Sequence, residues 1–168
     1  MERRASAALA PIHDEIHAMV QASAVKYTDA TTWTRRGKPL SVTVLATKTL
    51  SAFFITKDGS RDTIEPLFDV DVGMLVSDRA SIFSFWSMYL RQICWSHLIR
   101  KFVYFSEREG LARKYGRDLL ALAALVFDYW HAFLDGKFER EELCRWMKPL
   151  RSAFRETLDR AVAADIER

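Results

Sequence analysis

Two aspartates stand out among the residues that could do chemistry. Asp29 lies inside VKYTDATTW, a run of alternating character, and Asp78 closes the apolar run GMLVSD. A charge within a strand is costly unless it is paired or bound to a metal. If the two runs are neighbouring parallel strands, the carboxylates converge at one height. A hard divalent cation, which prefers carboxylate oxygens, could then be shared between them. Metal ions held this way activate an attacking oxygen and stabilise the leaving oxygen of a phosphodiester. Spacing alone leaves a second reading open, in which Asp78 caps the following segment and Asp29 is a partly exposed edge residue.

The remaining candidates carry less chemistry. His13 and His17 in HDEIH are one helical turn apart, as in zinc-binding helices. Asp14 stands where that pattern needs Glu, and no third ligand is evident, so the reading is a surface helix with two histidines. Cys94 and Cys144 have no CxxC spacing and are too few for a disulfide framework. Cys94 reads as a small buried hydrophobe, and its closeness to His97 in sequence is not the geometry a thiol–imidazole pair needs. Glu107, Glu109, Glu156 and Asp159 read as solvated helix positions. Arg35, Arg36 and Lys38 in TRRGKP, with Arg100 and Lys101 further on, are either phosphate contacts or a solvated face.

The elements that must position these residues can be read from periodicity. Residues 5–21 place Leu9, Ile12, Ile16, Met19 and Val20 on one helical stripe, with Pro11 an awkward interior residue. VKYTDATTW, SVTVLAT and SAFFIT are β-rich, and the turn TRRGKP separates the first two, which predicts an antiparallel meander. Ser60 opens a short helix to Phe68, with Ile64, Leu67 and Phe68 inward. GMLVSD reads as a buried parallel strand, IFSFWSMYL as a buried helix, RQICW as a short strand, and a further helix starts at Ser96. Two long helical stripes complete the chain, broken at Asp135–Gly136, and Pro149 should kink or interrupt the second.

The five strands are expected in the order 3-2-1-4-5, with the second antiparallel to the rest. This divides the chain into a leading helix over 1–24, a core over 25–108 and a helical region over 109–168. The chain has 168 residues, 49% of them hydrophobic and 28% charged, which fits a globular core rather than a disordered chain. The net charge of +3 permits a nucleic-acid partner without demanding one. No signal peptide is expected, because no apolar stretch comes after the basic N-terminal residues. The apolar run near Leu119 to Phe127 is too short to span a bilayer, so no membrane partner is expected. With two cysteines and no framework, the expected location is cytoplasmic.

Three ordered segments carry a resemblance. VKYTDATTWTRRGKPLSVTVLATKT resembles the first catalytic segment of DDE transposases of the insertion sequence 66 family. VGMLVSDRASIF resembles the second, with its strand-ending aspartate followed by Arg. RQICWSHLIRKF resembles the family's string of Cys, aromatic, small residue, His, basic residues and Phe. The segments span residues 25–105 in the family's order, and the helical remainder resembles the family's helical insertion. The resemblance implies a ribonuclease-H-like α/β fold, a magnesium or manganese cofactor, and metal-dependent DNA strand cleavage and transfer at transposon ends. It makes Asp29 the first catalytic carboxylate and Asp78 the second, and puts His97 near the catalytic face or a DNA phosphate.

Two departures are visible. Ala30 stands where the family commonly has an acid. The third carboxylate, a Glu on a helix beyond the insertion, has no counterpart here, so the core is expected to be incomplete and the chain inactive by itself. The alternative is a non-enzymatic transposase remnant that binds DNA or an intact transposase and modulates it, with self-association a further expectation.

Overall fold

The computed structural model describes residues 2–69 and 72–164. The chain forms two compact units, Met1–Cys94 and Trp95–Arg168.

The first unit contains α1 (Glu2–Gln21), β1 (Val25–Arg35), β2 (Lys38–Ala46), β3 (Ser51–Thr56), α2 (Arg61–Ile64), β4 (Met74–Ser77) and β5 (Arg91–Ile93). The strands form one sheet in the order β3-β2-β1-β4-β5. β2 is antiparallel to β1 and β3, whereas β4 is parallel to β1 and β5 to β4. This is the expected ribonuclease-H-like arrangement.

The two-residue period of a strand sends alternate side chains to opposite faces. One face buries Lys26 and Thr28 of β1, Ser41, Thr43 and Leu45 of β2, Ala52 of β3, and Leu75 and Ser77 of β4. Under it lies a core of Val20, Leu45, Ile64, Phe68, Leu75, Phe83 and Trp86. Phe68 meets Phe83, Phe85 and Trp86 edge-on, at centroid distances of 6.1, 5.4 and 5.9 Å. Each large apolar side chain removed from water there stabilises the fold by about 1.5–3 kcal/mol.

Helix α1 uses a different face from the predicted stripe. Leu9, Ile12 and Met19 are exposed, and the packed residues are His13, Ile16, His17 and Val20. The histidines explain the rotation. Nε2 of His13 donates to the Phe53 carbonyl at 3.0 Å, and Nε2 of His17 donates to that of Leu67 at 2.8 Å. Both rings also meet Phe54 edge-on, at 5.1 and 4.7 Å. An imidazole that satisfies a carbonyl while packing on an aromatic ring gains more from this face than an isolated Leu.

A second departure is IFSFWSMYL. Instead of a helix it forms two 3-10 turns, Ser81–Phe83 and Met88–Leu90. Phe83 and Trp86 are buried, while Met88 and Tyr89 are 87% and 94% exposed. The three-residue spacing of Phe83 and Trp86 suits a 3-10 turn. Arg91 also competes for the carbonyls a helix would start from: its Nη2 donates to the oxygens of Asp78 and Ala80 at 2.9 and 3.0 Å.

Lys26 is the most unusual core residue, 1% exposed. Its ammonium donates to the Val72 carbonyl and lies 5.2 Å from the Trp86 ring centroid. Burial pushes its pKa below the ordinary 10.5, and the charge of Asp69 partly opposes that. The folded state therefore sheds this proton at lower pH than the unfolded chain, so stability rises as pH climbs toward 10.5. Lys26→Met should flatten that rise. Urea denaturation of both proteins at about pH 7 and about pH 10 measures it.

The second unit contains α3 (Trp95–Ser106), α4 (Gly110–Leu134) and α5 (Arg140–Ala163). Its core joins Phe102, Leu119 and Ala123 with Trp95, Leu98, Leu120 and Phe154. The α4–α5 hairpin turns where expected: Gly136 takes φ +69°, and the Lys137 amide donates back to Ala132 O at 2.9 Å. Pro149 does not interrupt α5. The hydrogen bond it cannot make is to Arg145, an exposed residue whose carbonyl water can satisfy.

Candidate catalytic site

The β1–β4 register pairs Val25 with Met74, Lys26 with Leu75 and Tyr27 with Val76. The paired ladder ends there, two residues short of Asp29 on β1 and of Asp78, which directly follows Ser77, the last residue of β4. Asp29 shares its face of β1 with Val25 and Tyr27. That side is the one away from the core: Val25 and Tyr27 are exposed and alternate with buried Lys26 and Thr28, and from Asp29 to Arg35 β1 is exposed throughout. Across β2 and β3, Asp29 is in row with Val44 and Phe53, so no further acid comes from that direction.

Local bonding orients both carboxylates. Oδ1 of Asp29 accepts the Ala30 amide at 2.9 Å. Oδ1 of Asp78 accepts the Ala80 amide at 3.0 Å, which closes a tight turn just past β4. Asp78 thus does bond to the segment after it, as a capping residue would, but that segment is a 3-10 turn. Arg91 holds the same turn from β5: besides the two carbonyls, its Nε donates to the buried Ser77 hydroxyl at 3.2 Å. Sequence reasoning does not single out Arg91. A cation starting a short strand gives no periodic signal, and its partners are backbone carbonyls 11 and 13 residues away.

The approach to β4 is also fixed. Gly73 takes φ +73°, Met74 N donates to Ala24 O at 2.8 Å, and Trp86 Nε1 donates to Gly73 O at 3.3 Å. Together with the Lys26–Val72 bond, these contacts fix the entry of β4 alongside β1.

Arg35, Arg36 and Lys38 are exposed at the tip of the β1–β2 hairpin. Arg36 and Gly37 form the two-residue turn, with φ +51° and +76°, the primed geometry that matches strand twist. Arg36 is the one non-glycine residue with positive φ among the described residues, a conformation costing roughly 1–2 kcal/mol. His97, Arg100 and Lys101 lie on α3, in the second unit. Arg100 and Lys101 are exposed, and His97 is partly buried. Glu107, Glu109, Glu156 and Asp159 are exposed, with Glu156 3.8 Å from Arg160.

The ligand chemistry of the aspartate pair suits a hard divalent ion, which takes oxygen donors. Among the described residues no group of three or more His, Cys, Asp or Glu is placed to hold a metal. His13 and His17 are engaged with backbone carbonyls rather than with a shared ligand. No helix among the described residues is long and apolar enough to cross a membrane.

The five-stranded mixed sheet in the order 3-2-1-4-5, with an aspartate on its first strand and one just past its fourth, is consistent with a ribonuclease-H-like fold. The family model Transposase IS66 family matches residues 1–167, and the chain belongs to that family. No curated protein matches it. No solved structure matches it either.

Proposed function

We propose that Asp29 and Asp78 are the first two catalytic carboxylates of a DDE transposase and hold magnesium or manganese for strand cleavage and transfer at transposon ends. The observation that supports this reading is the parallel β1–β4 pairing, whose register, continued two residues past Tyr27 and Val76, would bring Asp29 opposite Asp78 on one face. A divalent ion bound there would supply activation of the attacking oxygen and stabilisation of the leaving one. The chain's own part is to orient the carboxylates, through the Ala30 and Ala80 amides and through Arg91. In this reading residues 1–24 lead into the core, 25–108 form it and 109–168 are the helical insertion.

The basic tip at Arg35, Arg36 and Lys38 binds DNA phosphates, with Arg100, Lys101 and His97 of α3 as further contacts. Binding through such cations is salt-sensitive and indifferent to base sequence.

The pair is two ligands of a set that normally has three. In this reading the chain does not cut DNA by itself, because no acid after Asp78 stands in the sequence context expected of the third carboxylate. The second reading is a non-enzymatic remnant that binds DNA or an intact transposase and modulates it, with self-association a further expectation. The exposed apolar side chains Tyr27, Trp33, Phe53 and Ile55 support such association.

Manganese titration of the chain, Asp29→Ala and Asp78→Ala tests the site. Each variant should weaken binding by at least about 10- to 100-fold, since even residues behind metal ligands cost that much. Binding that neither variant changes overturns the assignment. Donor-end cleavage with manganese should be absent. Cleavage that depends on both aspartates would show that the carboxylate set is complete within this chain.

A further inference from the structure

We infer that α5 carries a second DNA-contacting surface, a stripe formed by Arg145, Lys148, Arg151 and Arg155 that tracks the phosphates of a duplex. The inference rests on the DNA-handling reading above and adds a site to it. All four residues are exposed, and none makes an ion pair among the described residues. Their spacing of three, three and four residues puts them within an arc of about 120° on the helix. The opposite side of α5 buries Leu143, Leu150, Thr157 and Ala161.

The charge pattern is not that of an ordinary solvated helix. Between Glu142 and Glu156 α5 has four cations and no acid. Signs mix only toward the ends, where Glu141 and Asp159 flank the stripe and Arg160 pairs with Glu156. Within the stripe, neighbours three and four apart are all cations, and each such pair costs roughly 0.2–0.5 kcal/mol. An anionic partner turns that cost into attraction.

Geometry and chemistry favour duplex DNA. Ten residues of helix separate Arg145 from Arg155, about 15 Å at the α-helical rise. That length matches about four phosphates along one strand. Three of the four cations are arginines, whose planar forks hold phosphate oxygens in pairs. A lipid surface fits less well. A membrane-lying helix inserts a continuous apolar face, whereas Leu143, Leu150 and Ala161 of α5 are buried and its large exposed apolar residues are Trp146 at one end and Leu158 and Val162 at the other, with none between them alongside the stripe.

The test is fluorescence anisotropy of the full chain with a 5′-labelled duplex of arbitrary sequence, measured across a salt series. The variant replaces Arg145, Lys148, Arg151 and Arg155 with Ala, and a Gln version serves if the Ala version does not fold by circular dichroism. A control variant replaces Lys48, Lys57 and Lys137 with Ala, removing charge elsewhere. The stripe variant should bind at least about tenfold more weakly near 0.1 M salt, and its slope of log affinity against log salt should fall by about 3–4. The control should change neither by more than a small fraction of that. Wild-type binding that survives unchanged in the stripe variant overturns this inference and leaves the DNA-handling reading intact. So does an equal loss in the control, or a loss confined to phosphatidylserine vesicles. Wild-type protein that binds no duplex at low salt overturns both.

Discussion

Gly73→Ala is expected to destabilise the folded chain by about 3 kcal/mol or more and to abolish manganese binding by the aspartate pair. Gly73 takes φ +73°, where an alanine is strained before any contact is considered. An added Cβ would also lie 2.5 Å from Ala24 O, 2.8 Å from Ser23 O and 2.9 Å from Ala24 C. These are backbone atoms at the α1–β1 junction, so the methyl cannot be relieved by turning a side chain. The chain must move instead, and the part that moves is the entry to β4. A one-residue shift of β4 against β1 would send Asp78 to the opposite face from Asp29. Gly37→Ala is the fitting comparison: it too has positive φ, +76°, but a Cβ there meets nothing within 4 Å. It should cost about 1–2 kcal/mol and leave the metal titration unchanged. Urea denaturation and manganese titration of both variants give the answer. Equal effects of the two would mean that the close approach of Gly73 to β1 does not set the register.

Much of this site is legible in the sequence because strands write their order simply. Alternation in VKYTDATTW, two further β-rich runs and an apolar run ending in Asp78 predict the meander and the parallel fourth strand, and both are found. The residues that hold the pair in place are not legible. Nothing in the sequence singles out Lys26, yet it is buried, because a long side chain can carry its ammonium to a carbonyl beyond the core. Arg91 and Gly73 act through backbone groups distant in sequence. The packed stripe of α1 is offset from the predicted one for a related reason. A hydrophobicity pattern counts histidine as polar, whereas here hydrogen bonds to Phe53 O and Leu67 O let His13 and His17 pack inward. IFSFWSMYL shows the same limit for apolar runs. Its composition predicts burial, and Phe83 and Trp86 are buried, but the competition of Arg91 for the Ala80 carbonyl decides the backbone.

Gly116→Ala should have the largest effect in the helical unit, a loss of about 3 kcal/mol or more. Alanine is ordinarily the better helix former, worth about 1 kcal/mol over glycine inside a helix. Gly116 lies within α4, so propensity alone predicts a gain. Packing predicts the reverse. A Cβ at Gly116 would overlap the Ser106 amide nitrogen and lie 2.7 Å from Phe105 C and 2.8 Å from Phe102 O, all backbone atoms of α3. The two helices can approach this closely only where a side chain is missing, and Phe102 and Leu119 then close the core on either side. Separating α3 from α4 to admit a methyl would expose that core, and the area returned to water outweighs the propensity gain. The damage should be local. In hydrogen exchange followed by mass spectrometry, peptides from α3, α4 and α5 should lose protection, while those from β1, β2 and β4 keep theirs. Manganese binding by Asp29 and Asp78 should persist under conditions where the helical unit is partly open. A uniform loss of protection across both units would show that they unfold as one, and a gain in stability would show that α3 and α4 do not pack through Gly116.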